Sequence, residues 1–145
     1  MSVMTEAKRR LAEHDQRLTR GRVALIEIFL DANRPLSVHE LVEQSTRRLP
    51  VSSVYRHVSV LCDAHVLRRL NFDEGFIRYE LEHSLTQHHH HLVCGNCQSV
   101  IDLDEETLAA VEAALAAVEA DISAAHGFKV SEHQLDLRGL CADCA

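Results

Sequence analysis

The stretch HHHHLVCGNC (residues 88–97) decides how this 145-residue chain is organised. Four consecutive histidines run into a Cys-x-x-Cys pair, and a second such pair follows at residues 141–144. Neutral imidazole nitrogen and thiolate sulfur are ligands for borderline and soft divalent metals. The two pairs therefore predict one structural zinc site, closed to substrates and contributing folding energy, with four ligands: Cys94, Cys97, Cys141 and Cys144.

The histidine run predicts two further sets of ligands. Successive side chains of a strand point to opposite faces, so His88 and His90 face one way while His89 and His91 face the other. We expect His89 and His91 to be joined by Glu80, together with His39 or His83. The opposite pair is expected to recruit two groups from the second half of the chain, His133 and a carboxylate of a long helix, for which Glu112 is the best-centred candidate.

Charge divides the chain into two halves of different character. Residues 1–72 carry 12 Lys and Arg against 8 Asp and Glu, a net charge of +4, whereas residues 73–145 carry 3 against 14, a net charge of −11. A basic half indicates contact with a polyanion, and an acidic, ligand-rich half indicates cation capture. No apolar run approaches the ~20 residues that span a membrane. The start of the chain lacks the apolar core of a signal peptide, which predicts a cytoplasmic protein whose cysteines are metal ligands.

The first half has the pattern of a winged helix-turn-helix. Thr19 is expected to cap one helix, Ser37 with Glu40 forms a capping box for the next, and Ser52 or Ser53 caps a third, which ends near Leu61. Two β-rich runs, residues 66–72 and 76–82, follow and are joined by Asp-Glu-Gly. In this architecture the last helix enters the DNA major groove and the hairpin lies against the backbone. The cations that favour this interpretation are Arg20, Arg22, Arg47, Arg48 and Arg56.

The second half predicts a hairpin, a long helix and a final strand. Residues 88–94 and 98–103 flank the Gly95-Asn96 turn, and Asp104 caps a helix of some 22 residues. An AAVEA motif repeats seven residues apart within this helix, and its apolar face suits a core or a partner subunit. Gly127 ends the helix, and residues 129–141 alternate as a strand does.

Four motifs together resemble the ferric uptake regulator family, whose members sense iron, zinc, manganese or peroxide. They are VSSVYRHVSVL (residues 51–61), the histidine–cysteine run, HGFKVSEH (126–133) and GLCADC (139–144). The resemblance implies an α+β chain: a winged-helix DNA-binding domain at residues 1–82, a hinge at 83–87, and a small α/β dimerisation and metal-binding domain at 88–145. It also implies a homodimeric repressor that binds a palindromic operator in double-stranded DNA.

The resemblance assigns roles to individual residues. The four cysteines match the structural zinc site. Glu80, His89 and His91 match the regulatory site at the hinge, while His88, His90 and His133 match a further site. The DNA contacts that it implies are Arg17, Arg20, Ser53, Tyr55 and Arg56.

Two departures from the family pattern concern these sites. A histidine that often completes the hinge site falls at Pro35, and His39 and His83 are the two candidates to replace it. The long helix also has about seven extra residues, and Glu105, Glu112 and Glu119 compete as its ligand. Asp102 matches an aspartate that some sensors use just after the first Cys-x-x-Cys.

These observations predict a metal-responsive repressor of metal-uptake genes. The hinge ligands are nitrogen and oxygen donors, which favours Fe²⁺, with Zn²⁺ or Mn²⁺ as alternatives. A peroxide sensor or a zinc-uptake regulator are alternatives within the family. A metal-buffering protein without a DNA target would not need the basic half, and no pattern in the sequence indicates the substrate pocket of a metalloenzyme.

Overall fold

In the computed structural model, which describes residues 2–45 and 49–145, the chain forms two compact units, Met1–His88 and His89–Ala145. The described residues of the first unit form four helices: α1 (Val3–Glu13), α2 (Arg20–Ala32), α3 (Val38–Ser45) and α4 (Val51–Asp63). They also form the strands β1 (Leu36–Ser37), β2 (Leu67–Leu70) and β3 (Arg78–Leu81), and a 3₁₀ turn spans His83–Leu85. The antiparallel sheet has the order β1-β3-β2. Helices followed by this hairpin confirm the winged-helix prediction.

Capping residues set the helix ends of the first unit. Thr19 Oγ1 accepts a hydrogen bond from the Arg22 backbone N–H, as the sequence predicts. The capping box is also confirmed: Ser37 Oγ accepts from the Glu40 N–H at 3.2 Å, and Glu40 Oε2 accepts from the Ser37 N–H at 2.8 Å. Asn33 ends α2 in the left-handed conformation.

The predicted cap of α4 is wrong. Pro50, not Ser52 or Ser53, is the N-cap, and its backbone oxygen accepts from the N–H groups of Ser53 and Val54. The proline ring fixes φ at −63°, and with ψ at 147° the residue already has the extended conformation of an N-cap.

A closed apolar core holds the first unit together. Helix α1 buries Ala7 and Leu11, and the inward residues of α4 are Val54, Val58 and Leu61, as the helical spacing predicts. Further buried core residues come from α2, α3 and the hairpin: Leu25, Ile26, Ile28, Phe29, Leu36, Leu41, Val66, Leu67 and Leu81.

The second unit consists of one small sheet and one long helix. Its strands are β4 (His91–Cys94), β5 (Val100–Asp102) and β6 (Asp136–Gly139), and the helix is α5 (Glu105–His126). Strand β4 pairs antiparallel with β5 and parallel with β6. Asp104 caps α5 by accepting from the Thr107 N–H, and Gly127 ends it at φ 61°, both as predicted.

Two strand predictions for this unit are too long. Strand β4 begins only at His91, and the predicted strand at residues 129–141 is reduced to four residues of β6. His133, in the irregular segment before β6, bonds to two glutamates of α5 rather than joining the sheet. Side-chain bonds to the helix therefore compete with strand pairing in this segment.

Candidate metal centres and DNA-binding surface

The four paired cysteines come together because two parallel strands end side by side. Cys94 is the last residue of β4 and pairs with Gly139, the last residue of β6. The Gly95 N–H continues the ladder by donating to the Gly139 carbonyl oxygen at 2.9 Å. The first Cys-x-x-Cys begins at this last residue of β4, and the second begins two residues after β6. The register of the sheet therefore brings the thiols together.

The cysteine cluster has the dimensions of a tetrahedral zinc site. All four Sγ atoms lie within 4.8 Å of one another, and those of Cys97 and Cys141 are 3.7 Å apart. Sulfurs about 2.3 Å from a tetrahedral zinc ion are about 3.8 Å apart. The backbone N–H groups of Cys97, Cys141 and Asn96 donate to Cys94 and lower the pKa of its thiol to about 6, which favours the thiolate that binds metal. The cluster fits a structural zinc site.

A second group of ligand-type side chains lies within the second unit. His90 Nε2 is 2.7 Å from Glu112 Oε1, and His133 Nε2 is 3.1 Å from the same oxygen. His90 is almost completely buried at 1% exposure, and the rings of His90 and His133 are 5.3 Å apart. Two imidazole nitrogens and a carboxylate oxygen converge here as the donor set of a divalent metal.

Among the three competing glutamates of α5, Glu112 occupies this group. Glu119, two turns further along α5, bonds to the other ring nitrogen of His133, Nδ1, at 2.8 Å. Burial alone lowers the pKa of His133, but the hydrogen bonds with Glu119 and Glu112 outweigh it and raise that pKa. Glu105 lies at the first turn of α5 and is exposed.

His89 and His91 are neighbours within the second unit, with ring centroids 5.0 Å apart. His91 is 1% exposed and lies between two carboxylates: its Nδ1 is 2.9 Å from Asp136 Oδ1, and its Nε2 is 3.9 Å from Asp102 Oδ1. The resemblance to the family already pointed to Asp102 as a ligand candidate, whereas the sequence analysis did not identify Asp136. His91 and Asp136 are register partners in the parallel pair β4–β6, and only that long-range pairing reveals their proximity.

In the first unit, Glu80 is the buried centre of a small polar group on β3. It is 4% exposed and forms an ion pair with Arg68, its register partner on β2. His83 Nε2 is 3.6 Å from Glu80 Oε1, and His83 Nδ1 is 3.1 Å from the Nδ1 of His88. His88 thus contacts a residue of the 3₁₀ turn in its own unit.

His39 has a different environment from His83. It lies on α3 with its side chain 81% exposed, and its Nδ1 is 3.7 Å from Glu43 Oε1, one helical turn away. Within the described ranges, 2–45 and 49–145, no group of three or more ligand-type side chains includes His39. Pro35 adjoins β1 and offers only its backbone oxygen, which accepts a hydrogen bond from Arg34.

Helix α4 presents the side chains expected of a DNA-reading helix. Tyr55 is 58% exposed, Arg56 is exposed and Ser53 is half-buried. Arg17, in the segment before α2, and Arg20, the first residue of α2, are also exposed. These side chains leave their polar groups available to phosphate or base edges.

Arg22, one of the cations expected at this surface, is buried instead. It is 8% exposed, and its guanidinium donates to the Arg17 carbonyl and, at 2.7 Å, to Gln16 Oε1. His57 on α4 is half-buried: a Cβ at Gly21 would come within 2.6 Å of its Nε2. Burial, with Arg22 and Arg56 nearby, lowers the pKa of His57. Arg47 and Arg48 lie outside the described residues.

None of the helices among the described residues is long and apolar enough to cross a membrane.

Comparisons with known proteins agree with this architecture. The model of the ferric uptake regulator family matches residues 13–138. The chain is 32% identical over 142 residues to the ferric uptake regulation protein of Bacillus subtilis (strain 168), covering 94% of this chain and 91% of that protein. It is 27% identical over 147 residues to the peroxide operon regulator of the same strain, covering 98% and 93%. The crystal structure of the Vibrio cholerae ferric uptake regulator matches with a TM-score of 0.70 at 26% identity, over 90% of this chain and 96% of that one.

The fold, the cysteine cluster and these likenesses lead to one assignment. Proteins of this group are dimeric, DNA-binding transcriptional regulators and not enzymes. Since the family model matches most of its length, the chain belongs to the ferric uptake regulator family.

Proposed function

We propose that this protein is a metal-dependent repressor that binds a palindromic operator as a homodimer and controls metal-uptake genes. The observation that carries the proposal is the combination, in one chain, of a winged helix with exposed Tyr55 and Arg56 and a histidine run divided between two ligand sets. A metal-buffering protein needs only the ligands. Arg17, Arg20 and Arg56 would supply the salt-dependent phosphate contacts, and Tyr55 with Ser53 part of the base readout.

The proposed sensing site takes Glu80, His89 and His91, the ligands that the resemblance to the family implies. Metal shifts the population of conformers only as far as it binds one arrangement better than the others. A coupling of roughly 1–3 kcal/mol changes DNA affinity by about 5–150-fold.

His83 is the better candidate than His39 for the ligand that replaces the family histidine at Pro35. Its ring nitrogen is already 3.6 Å from the Glu80 carboxylate, whereas His39 is highly exposed and paired with Glu43. Arg68 also holds Glu80, so a metal ion would have to share or displace this guanidinium. The second proposed metal site takes His90, Glu112 and His133, with His88 as the remaining candidate.

Ligand chemistry favours Fe²⁺ as the sensed metal and Zn²⁺ for the cysteine cluster. The sensing candidates are nitrogen and oxygen donors, and two carboxylates, Asp102 and Asp136, flank His91. Nitrogen and oxygen donors suit iron and manganese better than thiolate donors do. A site made of nitrogen and oxygen donors also binds zinc.

A peroxide sensor is the second candidate function. The carboxylates beside His91 favour it, together with the likeness to the peroxide operon regulator of Bacillus subtilis. Peroxide sensing would be identified by mass spectrometry. After Fe²⁺-loaded protein is treated with hydrogen peroxide, the peptide containing His89 and His91 should gain the mass of one oxygen atom. A protein that only senses metal keeps that peptide unmodified.

Operator binding with and without metal tests the leading proposal. Sequences selected from random DNA by the Mn²⁺-loaded protein would serve as probes, since Mn²⁺ is stable in air. We expect metal to tighten binding by about 5–150-fold in the wild type and not in His89→Ala/His91→Ala. Removing two exposed imidazoles in His14→Ala/His126→Ala is the matched control and should leave the response intact.

Three results would count against parts of this proposal. A full metal response in the His89→Ala/His91→Ala protein would refute the sensing-site assignment. Metal binding without selection of any DNA sequence would instead favour a buffering protein. Loss of the response in His39→Ala but not in His83→Ala would reverse the choice between these two histidines.

A further inference from the structure

The repeated AAVEA motif of α5 has a structural consequence at His133. Its two glutamates, Glu112 and Glu119, are seven residues apart, so they lie two turns apart on the same face of the helix. Both reach the same imidazole from this face: Glu112 contacts Nε2 at 3.1 Å and Glu119 contacts Nδ1 at 2.8 Å. His133 is therefore held by a carboxylate at each ring nitrogen.

The two glutamates occupy different positions relative to the candidate metal site. Glu112 Oε1 is shared between His133 and His90, whose Nε2 is 2.7 Å away, so this oxygen lies where the ligand atoms converge. Glu119 lies at the opposite edge of the His133 ring. A metal ion on Nε2 is consequently beyond the reach of the Glu119 carboxylate that holds Nδ1.

The chemistry of imidazole gives that position a role. A neutral histidine carries one N–H and one lone pair, and a metal takes the lone pair. When Nε2 binds metal, Nδ1 must carry the proton, and an acceptor beside Nδ1 selects this tautomer and fixes the ring orientation. A carboxylate in that place also makes the imidazole a stronger donor to the metal.

We propose that Glu119 is a positioning residue for the metal site of His90, Glu112 and His133: it accepts the Nδ1 proton of His133 and aims Nε2 at the metal. The inference rests on the proposed metal binding at this site and deepens it. It separates the two glutamates of the repeat into a ligand, Glu112, and a residue that acts through His133. The second carboxylate of the repeat thereby acquires a function that its residue type alone does not reveal.

Co²⁺ titration of the full-length protein, with the cysteine cluster filled by Zn²⁺, tests this role. Loss of such an outer hydrogen-bond partner typically weakens metal binding by about 10–100-fold, and we expect that loss in Glu119→Ala. Glu119→Gln should lose less, since its amide oxygen still accepts from Nδ1–H. Asp121→Ala removes an exposed carboxylate from the same helix and should bind Co²⁺ as the wild type does, with Co²⁺ absorption reporting the ligand set.

The tautomer of His133 provides a readout that a merely structural role would not move. In metal-free protein, ¹⁵N spectra of the histidine rings, assigned with His133→Gln, should show a proton on Nδ1 in the wild type and in Glu119→Gln. Glu119→Ala leaves Glu112, at Nε2, as the remaining carboxylate acceptor and should shift the ring to the Nε2–H tautomer. The thermal unfolding midpoints of Glu119→Ala, Glu119→Gln and Asp121→Ala are expected to stay close to that of the wild type.

Different results would overturn different statements. Unchanged Co²⁺ affinity and an unchanged tautomer in Glu119→Ala would overturn the positioning role while leaving the metal site intact. Equal weakening in Asp121→Ala would reduce the effect to general charge, which also overturns it. Failure of the wild type to bind Co²⁺ with His90 and His133 would overturn the metal site itself, and the positioning role with it.

Discussion

The two units of this protein are stabilised in different ways. In the first unit, apolar side chains from all four helices and the hairpin form a closed core in which Leu11, Leu25 and Leu61 are fully buried. The buried side chains of the described second unit are few, and most are ligand types: Val93, Cys94, Val100, His90 and His91. Across Glu105–His126, all of which the structure describes, no residue of α5 is buried.

This difference shows how each unit has to complete its fold. A unit of fewer than ~70 residues rarely supplies enough apolar burial by itself and depends on metals, disulfides or association. The cysteine cluster of the second unit fits stabilisation by a bound metal. The apolar residues of α5, among them Leu108, Leu115 and Val118, remain half-buried or exposed, which is consistent with the proposed homodimer.

The largest expected effect is unfolding of the second unit while the first unit stays folded. Cys94→Ser should remove the bound zinc and abolish cooperative unfolding of the second unit, because binding energy at a structural zinc site is folding energy. Metal analysis and separate NMR signals of the two units would measure this. Cys62→Ala, which removes a buried thiol from the first unit, should leave the zinc content unchanged. A wild-type spectrum for Cys94→Ser would show that the cluster is dispensable.

A pair of leucine substitutions compares the two units directly. Leu61→Ala in the closed core should lower the free energy of unfolding of the first unit by about 2–5 kcal/mol, since it leaves a cavity. Leu115→Ala on half-buried α5 should cost the isolated subunit less than ~1 kcal/mol. Denaturant titration at subunit concentrations below the dimerisation range would measure both. Equal costs would mean that α5 is packed as tightly as the first core.

The smallest expected effect concerns the charge of Glu40 in the first unit. Burial raises the pKa of Glu40, but the Ser37 backbone N–H and Arg34 outweigh it, so the folded pKa is lowered. The carboxylate therefore stabilises the fold above the unfolded pKa of about 4.3, and this contribution disappears as the pH falls through the folded value. Glu40→Gln should lose less than ~1 kcal/mol at pH 7 and match the wild type well below pH 4. A difference that grows on acidification would contradict this sign.

Local patterns predicted much of the secondary structure. The side-chain caps at Thr19, Ser37 and Asp104 and the stop at Gly127 depend on contacts within three or four residues, so the sequence displays them directly. The cap of α4 was predicted wrongly because a proline backbone can take the N-cap conformation without any side-chain bond. The last strand was predicted too long because His133 bonds to glutamates of the preceding helix, α5.

The sequence by itself determined the types of donor, the order of the two units and the family resemblance. These depend on residue chemistry and on the order of motifs along the chain, which are properties of the sequence alone. The tertiary structure decided which residue touches which: that Arg22 is buried, that Asp136 meets His91, and that Glu112 and Glu119 hold opposite sides of His133. Those contacts depend on the parallel register of β4 with β6 and on the packing of distant segments, which no local pattern encodes.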